Sequence, residues 1–187
     1  MSMKIAIAGS GNIGKTLARH WQAAGLDVQF TGRDRILELA SASDVLVLSV
    51  PWEAAADVLS KAGDLTGKII IDCTNPVLPA LEGLSVTGHD SAGEQIQRLA
   101  PNAHVVKCFN TLGWAMIGPG ADGFYCGDDA EAKQKVATLV AAAGMRPIDA
   151  GPIRNARYLE AMAMLWIDLA IKRGRGATFT FRLQDAS

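Results

Sequence analysis

Lys4-Ile5-Ala6-Ile7-Ala8-Gly9-Ser10-Gly11-Asn12-Ile13-Gly14 is the stretch on which the reading of this chain turns. Lys4 to Ala8 is a short apolar run of strand length. Three glycines follow in the spacing Gly-x-Gly-x-x-Gly, and then a helical pattern runs through Leu17, His20, Trp21 and Ala24 to a stop at Gly25. The glycine spacing alone is a weak signal. Its place between a strand and a helix gives it meaning. The first glycine permits a tight turn, the second admits a close ligand, and the third lets helix and strand pack. Unpaired N–H groups and the helix dipole then favour a phosphate at Ser10 to Ile13. A plain strand-to-helix turn is the competing reading.

Beyond the first helix, Asp27–Thr31 reads as a second strand and Arg33 to about Ala42 as a short helix. Asp44–Ser49 is a third strand. Pro51 opens the next helix, which runs to about Ala62. Lys68–Asp72 and His104–Phe109 are further strands. The capping-box pair Ser91 and Glu94 starts a helix between them. Gly123–Cys126 is a short strand, Asp128 with Glu131 caps a helix to about Ala143, and Arg146–Ala150 is the last strand. A long helix from about Asn155 to Lys172 and a polar tail complete the chain.

Apolar strands alternating with helices imply a mainly parallel α/β sheet covered on both faces, a doubly wound Rossmann-type fold. Between Thr31 and Asp44 there is room for one small helix and no crossover strand, so one sheet edge should be reduced. With 187 residues the expectation is a single dinucleotide-binding domain, 1–187, with a helical extension from about 152.

The composition, 49% hydrophobic and 20% charged, suits a globular core, and a net charge of −1 argues against nucleic acid as a partner. No stretch is long enough for a membrane span, and no signal peptide is visible. Cys73, Cys108 and Cys126 lack paired spacing and fit free thiols in a reducing, cytoplasmic setting, serving as small buried hydrophobes. His20, His89 and His104 show no metal-ligand or triad spacing, so no metal is expected. Asp72 reads as a loop-orienting residue, not a base.

The choice of dinucleotide rests on the end of the second strand. Phe30-Thr31-Gly32 carries no acid for the ribose hydroxyls of NAD. Arg33 follows directly and fits a 2′-phosphate, which favours NADP. Asp34 keeps NAD open, should it reach back to the ribose. The nicotinamide belongs among the loops after Ser49, Asp72 and Phe109, at the carboxyl ends of the strands.

Five strings occur in a telling order: the glycine loop, Ser49-Val50-Pro51-Trp52-Glu53, Val105-Val106-Lys107-Cys108-Phe109-Asn110-Thr111, Cys126-Gly127-Asp128-Asp129 and Asp149-Ala150-Gly151-Pro152. Together they resemble the NADP-dependent reductases of the deazaflavin coenzyme F420, and more loosely the nucleotide domain of membrane ferric reductases. The resemblance covers nearly the whole chain. It implies NADP as cofactor and hydride passed between NADPH and a flavin-like or other planar acceptor. It also implies Ser10 to Ile13 on the phosphates, Gly32 and Arg33 on the 2′-phosphate, and Val50, Pro51 and Asn75 beside the nicotinamide ribose. Asn110 and Thr111 would flank the reacting ring. Thr31 and Ser49, ending their strands next to these contacts, complete the candidate nucleotide site. Asp34 departs from the pattern, standing where a second basic residue is common.

Hydride transfer needs no protein acid or base, so Asn75, Asn110 and Thr111 are read as positioning groups. A non-catalytic NADP-binding sensor or partner protein is the alternative, since fold does not decide between the two. On the last helix, Tyr158, Met162, Leu165, Trp166 and Leu169 recur at three- and four-residue spacing. Packing on the parent sheet is one reading of this stripe and part of it must do that, but Leu159, Ala163 and Ile167 widen the apolar surface beyond what one-sided packing uses. A homodimer through this helix is therefore expected.

Overall fold

The computed structural model describes residues 3–32 and 35–186. Arg33 and Asp34, on which the sequence-based choice of dinucleotide rests, lie outside them. Seven strands form one sheet: β1 (Lys4–Ala8), β2 (Asp27–Thr31), β3 (Val45–Leu48), β4 (Ile69–Asp72), β5 (His104–Cys108), β6 (Asp122–Gly127) and β7 (Arg146–Asp149). Their order is β2-β1-β3-β4-β5-β6-β7. All pairs are parallel except β5 with β6. A loop without a long helix joins those two, so the chain returns in the opposite sense.

The helices are α1 (Asn12–Ala23), α2 (Ile36–Ala42), α3 (Trp52–Lys61), α4 (Ala92–Leu99), α5 (Ala130–Ala142) and α6 (Ala156–Ile167). Period-two alternation divides the core between the two faces of the sheet. Ile5, Ile7, Val45, Val47, Ile69 and Ile71 pack with α1 and α5. Ala6, Ala8, Leu46, Leu48 and Ile70 pack with α2, α3, α4 and α6. Strands buried on both faces read as unbroken apolar runs, as VLVL in β3 does.

The reduced edge is present: β2 is the outermost strand on its side, with only α2 between it and β3. From β1 the chain passes out to β2 and then crosses to β3 on the other flank. The strand order therefore reverses between β1 and β3, where open α/β sheets bind ligands. At the far edge β7 carries Pro147, tolerable on an edge strand because its missing N–H costs no ladder bond on the open side.

Three local expectations are corrected. The cap of α5 is Asp129, whose carboxylate accepts the Ala132 N–H at 2.7 Å, whereas Asp128 accepts the Ile153 N–H at 2.9 Å. The last helix is α-helical only to Ile167 and closes in a wider π-type turn, Asp168–Lys172. Its inward face is Ala156, Leu159, Glu160 and Ala163, while Tyr158 and Leu165 are 71% and 52% exposed. The tail is not simply polar. Phe179 stacks on Trp166 with ring centroids 5.4 Å apart, and the Trp166 indole N–H donates to the Phe179 carbonyl at 2.9 Å. Further on, the Leu183 N–H donates to Asp122, which also takes a two-bond contact from Arg146.

Candidate functional site

The glycine loop is shaped by what surrounds it, and each glycine has its own reason. Gly9 ends β1 with φ +106°, and a Cβ placed there would lie 2.0 Å from the Ser49 carbonyl oxygen. The ends of β1 and β3 thus touch through backbone at the switch point. At Gly14 a Cβ would come within 3.0 Å of Ile7 and 3.2 Å of the Gly9 carbonyl, the close helix–strand packing expected of the third glycine. Gly11 differs. A Cβ there would meet nothing within 4 Å, and its φ of −71° suits any residue. The protein itself gives no reason for a glycine at this position. A group approaching the backbone from outside would.

Gly11 is also the N-cap of α1, with no side-chain cap hydrogen bond and no acid in the first turn. The leading N–H groups of a 12-residue helix are therefore open to an anion, and its dipole favours one. A pyrophosphate fits this turn.

Two cavities flank the loop. On the β2 side, about 350 Å³ is enclosed by Gly9, Ser10, Thr31, Gly32, Val50 and Pro51, with Phe30, Ile36, Ala54 and Val58 as apolar walls. On the β4–β5 side, about 380 Å³ is enclosed by Ile13, Asn75, Asn110, Leu112, Trp114 and Trp166, with Ala163 and Ile167 of α6 and Ala177 and Thr178 of the C-terminal segment. None of the described residues lining this second cavity is ionisable. Another cavity of about 380 Å³, around Asp44 and Lys68, opens near the amino-terminal ends of β3 and β4. Ligands of open parallel sheets bind at the other end.

The sequence-derived residues are thus distributed over both cavities. Gly9, Ser10, Thr31, Gly32, Val50 and Pro51 line the first, and Ile13, Asn75 and Asn110 the second. Asn12 starts α1 between them, and Ser49 backs the loop. Thr111 is buried at 3% exposure and does not line the second cavity.

Asn75 and Asn110 are joined. The Asn75 amide donates to the Asn110 carbonyl at 2.9 Å, and the Asn110 amide donates to Asn75 Oδ1 at 3.0 Å. Phe109, just before Asn110, sits at φ +61°, a left-handed conformation that is costly for a bulky residue. Its ring is buried edge-on against Trp21 at 5.9 Å, which holds the turn in place.

Beneath this pair lies an arrangement that the sequence did not disclose. Lys107 Nζ is 2.8 Å from Asp72 and 2.9 Å from Glu160, and all three side chains are buried. Asp72 and Lys107 face each other across the β4–β5 ladder. Asp72 also accepts the Thr74 N–H and hydroxyl, and Glu160 accepts the N–H groups of Ala92 and Gly93 at the start of α4. Burial opposes the Lys107 charge, but the two carboxylates outweigh it and raise its pKa; burial likewise pushes the Glu160 carboxyl up. The available signal was a lysine inside an otherwise apolar run, Val105-Val106-Lys107-Cys108, since a buried lysine implies a partner.

The cysteines are free. Burial pushes all three thiols up, Cys126 to about 12, so they stay protonated and poorly nucleophilic. Among the described residues no cluster of His, Cys, Asp and Glu could hold a metal ion, and no helix is long and apolar enough to cross a membrane.

A doubly wound sheet with an open, uncapped glycine turn at its switch point defines a dinucleotide-binding Rossmann protein. A crystal structure assigned as an F420-dependent NADP-reductase from Arthrobacter sp. FB24 superposes with a TM-score of 0.90 at 31% identity, covering 98% of this chain and 100% of that one. The chain belongs to the family of F420-dependent NADP oxidoreductases. The family model described as "NADP oxidoreductase coenzyme F420-dependent" matches residues 35–76. The F420-dependent NADP reductase of Methanothermobacter marburgensis is 29% identical over 209 aligned positions, 91% of this chain and 93% of the relative. Metalloreductase STEAP3 of Rattus norvegicus is 30% identical over 181 positions and 86% of this chain, which spans 36% of that relative's length. Imine reductases and reductive aminases at 20% identity or below share the fold.

Proposed function

We propose that the protein binds NADP across the glycine loop and passes hydride between the nicotinamide and a planar acceptor of the deazaflavin type. The adenosine half occupies the cavity beside β2 and the nicotinamide half the cavity beside β4 and β5. The bound dinucleotide supplies the hydride chemistry. The observation that carries this reading is the second cavity: neutral, walled by Trp114 and Trp166, and furnished with two amides. Such a site positions rings without exchanging protons. Orientation alone is worth several orders of magnitude when two reacting groups are held in a near-attack arrangement.

NADPH oxidation followed at 340 nm against deazaflavin, flavin mononucleotide, quinone and ferric acceptors tests the proposal. Turnover with the deazaflavin supports it. NADPH binding without reduction of any acceptor would favour the sensor reading instead.

Arg33 gives the preference for NADP over NAD. Losing a charge-assisted phosphate contact costs ~1.5–3 kcal/mol, so Arg33→Ala should weaken NADPH by about tenfold or more and leave NADH nearly unchanged. Dissociation constants of both nucleotides for both proteins check this, and an equal loss for the two would refute it.

The outer face of α6 supports a two-fold dimer. Tyr158 and Leu165 are exposed and Met162 half-buried along one side, and Leu169 in the closing turn is half-buried as well. An apolar strip of this kind is commonly covered by a second copy. Light scattering at micromolar concentration should give twice the 19.7 kDa chain mass, and Leu165→Glu should return it to the monomer value.

A further inference from the structure

Buried polar atoms are almost always paired, because an unpaired one forfeits its hydration without return. Among the described residues two side-chain atoms break this rule, His20 Nε2 and Asn110 Oδ1. Of the two residues, it is Asn110, 6% exposed, that lines the neutral cavity beside the glycine loop.

The orientation of the Asn110 amide follows from its neighbours. The Asn110 carbonyl can only accept, so the Asn75 amide must turn its nitrogen toward it, at 2.9 Å. That leaves Asn75 Oδ1 as an acceptor, and Asn110 must meet it with its own nitrogen, at 3.0 Å. Flipping the Asn110 amide would set two oxygens face to face. Asn110 Oδ1 is therefore locked as an acceptor for which the described residues supply no donor, and a donor group seated in the cavity would pair it. The lock is itself held from below. Asp72 and Lys107 are paired across β4 and β5, and each stands three residues ahead of its asparagine.

We propose that Asn110 Oδ1 accepts a hydrogen bond from the carboxamide nitrogen of the bound nicotinamide and so reads that group. The proposal rests on the dinucleotide reading above. Ile13, which lines the same cavity, stands at the second position of α1, just past the open turn. A ring joined through a ribose to a pyrophosphate at that turn reaches this cavity first. The carboxamide N–H₂ is the only hydrogen-bond donor on the nicotinamide ring. A deazaflavin also offers a ring N–H, but two carbonyls flank it, and a lone acceptor would oppose them.

The test compares NADP⁺ with its 3-acetylpyridine analogue, in which a methyl ketone replaces the carboxamide. Dissociation constants are measured by calorimetry, with melting temperatures to show that each variant is folded. Wild type should prefer NADP⁺ by about tenfold, since the analogue leaves Oδ1 buried and unpaired. Asn110→Ala should abolish the preference through weaker NADP⁺ binding. Asn75→Ala should narrow it the other way, because the freed Asn110 amide can turn its nitrogen to the ketone and the analogue gains. Equal binding of both nucleotides by wild type would overturn this assignment and leave the dinucleotide reading intact. So would an undiminished preference in Asn110→Ala or in Asn75→Ala. Failure of wild type to bind NADP⁺ at all would overturn both.

Discussion

Replacing Lys107 by Met is expected to destabilise the fold by about 3–5 kcal/mol, because it leaves two buried carboxylates without their cation. In a protein of this size that is a fall in melting temperature on the order of 10 °C. Asp72 and Glu160 approach the same ammonium at 2.8 and 2.9 Å, and none of the three side chains is more than 1% exposed. Without the lysine two neighbouring buried carboxylates would repel each other with no cation between them. The triple variant Lys107→Met, Asp72→Asn, Glu160→Gln removes every charge at once. It should recover part of the loss, since no charge is then left buried without a partner, while the new amide N–H₂ groups still lack acceptors. Thermal and guanidinium unfolding of the two variants checks this. If Lys107→Met melts as wild type does, the three side chains are not an interacting buried group.

The cluster ties four elements together: β4 through Asp72, β5 through Lys107, α6 through Glu160, and α4 through the Ala92 and Gly93 N–H groups. It lies at the carboxyl ends of the two strands whose following loops carry Asn75 and Asn110. An ion pair here sets the register of those loops, an arrangement that apolar packing would leave looser.

The sheet was legible in the sequence because its strands are buried on both faces. Val45–Leu48 and Ile69–Ile71 are apolar at every position, and runs of that length ended by glycine or polar residues have few alternative readings. The reduced edge was a matter of length alone. Other features depend on tertiary contacts that periodicity does not encode. Tyr158, Met162 and Leu165 share a helix face as their spacing requires, yet the protein packs on Leu159 and Ala163 instead. Glu160 belongs to that buried side only because Lys107 and the start of α4 meet it there. Asp128 and Asp129 are adjacent and either side chain can cap a helix, but only Asp128 stands three residues ahead of Glu131, so the pattern pointed to the wrong one. The backbone entering α5 selects Asp129, and Asp128 is taken by the Ile153 N–H. The apolar walls of the cavity beside β2, Phe30 and Ile36 among them, were read only as strand and helix residues.

Gly9→Ala and Gly11→Ala should separate fold from ligand within one turn. At Gly9 the added methyl would lie 2.0 Å from the Ser49 carbonyl oxygen and 2.7 Å from its carbon, both backbone atoms that cannot swing aside. The φ of +106° is unfavourable for alanine as well. Strain of ~1–3 kcal/mol adds to an overpacking cost of similar size, so Gly9→Ala should lose about 3–5 kcal/mol and pull the ends of β1 and β3 apart. At Gly11 the methyl meets nothing within 4 Å and the backbone is already in an ordinary extended conformation. Its cost to stability should be only that of alanine for glycine at an N-cap, under about 1 kcal/mol. The methyl would nevertheless occupy the space in front of the α1 N–H groups, where a pyrophosphate must come close. Gly11→Ala should therefore melt near wild type while binding NADPH about tenfold or more weakly, the loss of one or two charge-assisted contacts. Melting curves and NADPH titrations on both variants are decisive. A Gly11→Ala protein that binds NADPH as wild type does would remove the phosphate site from this turn.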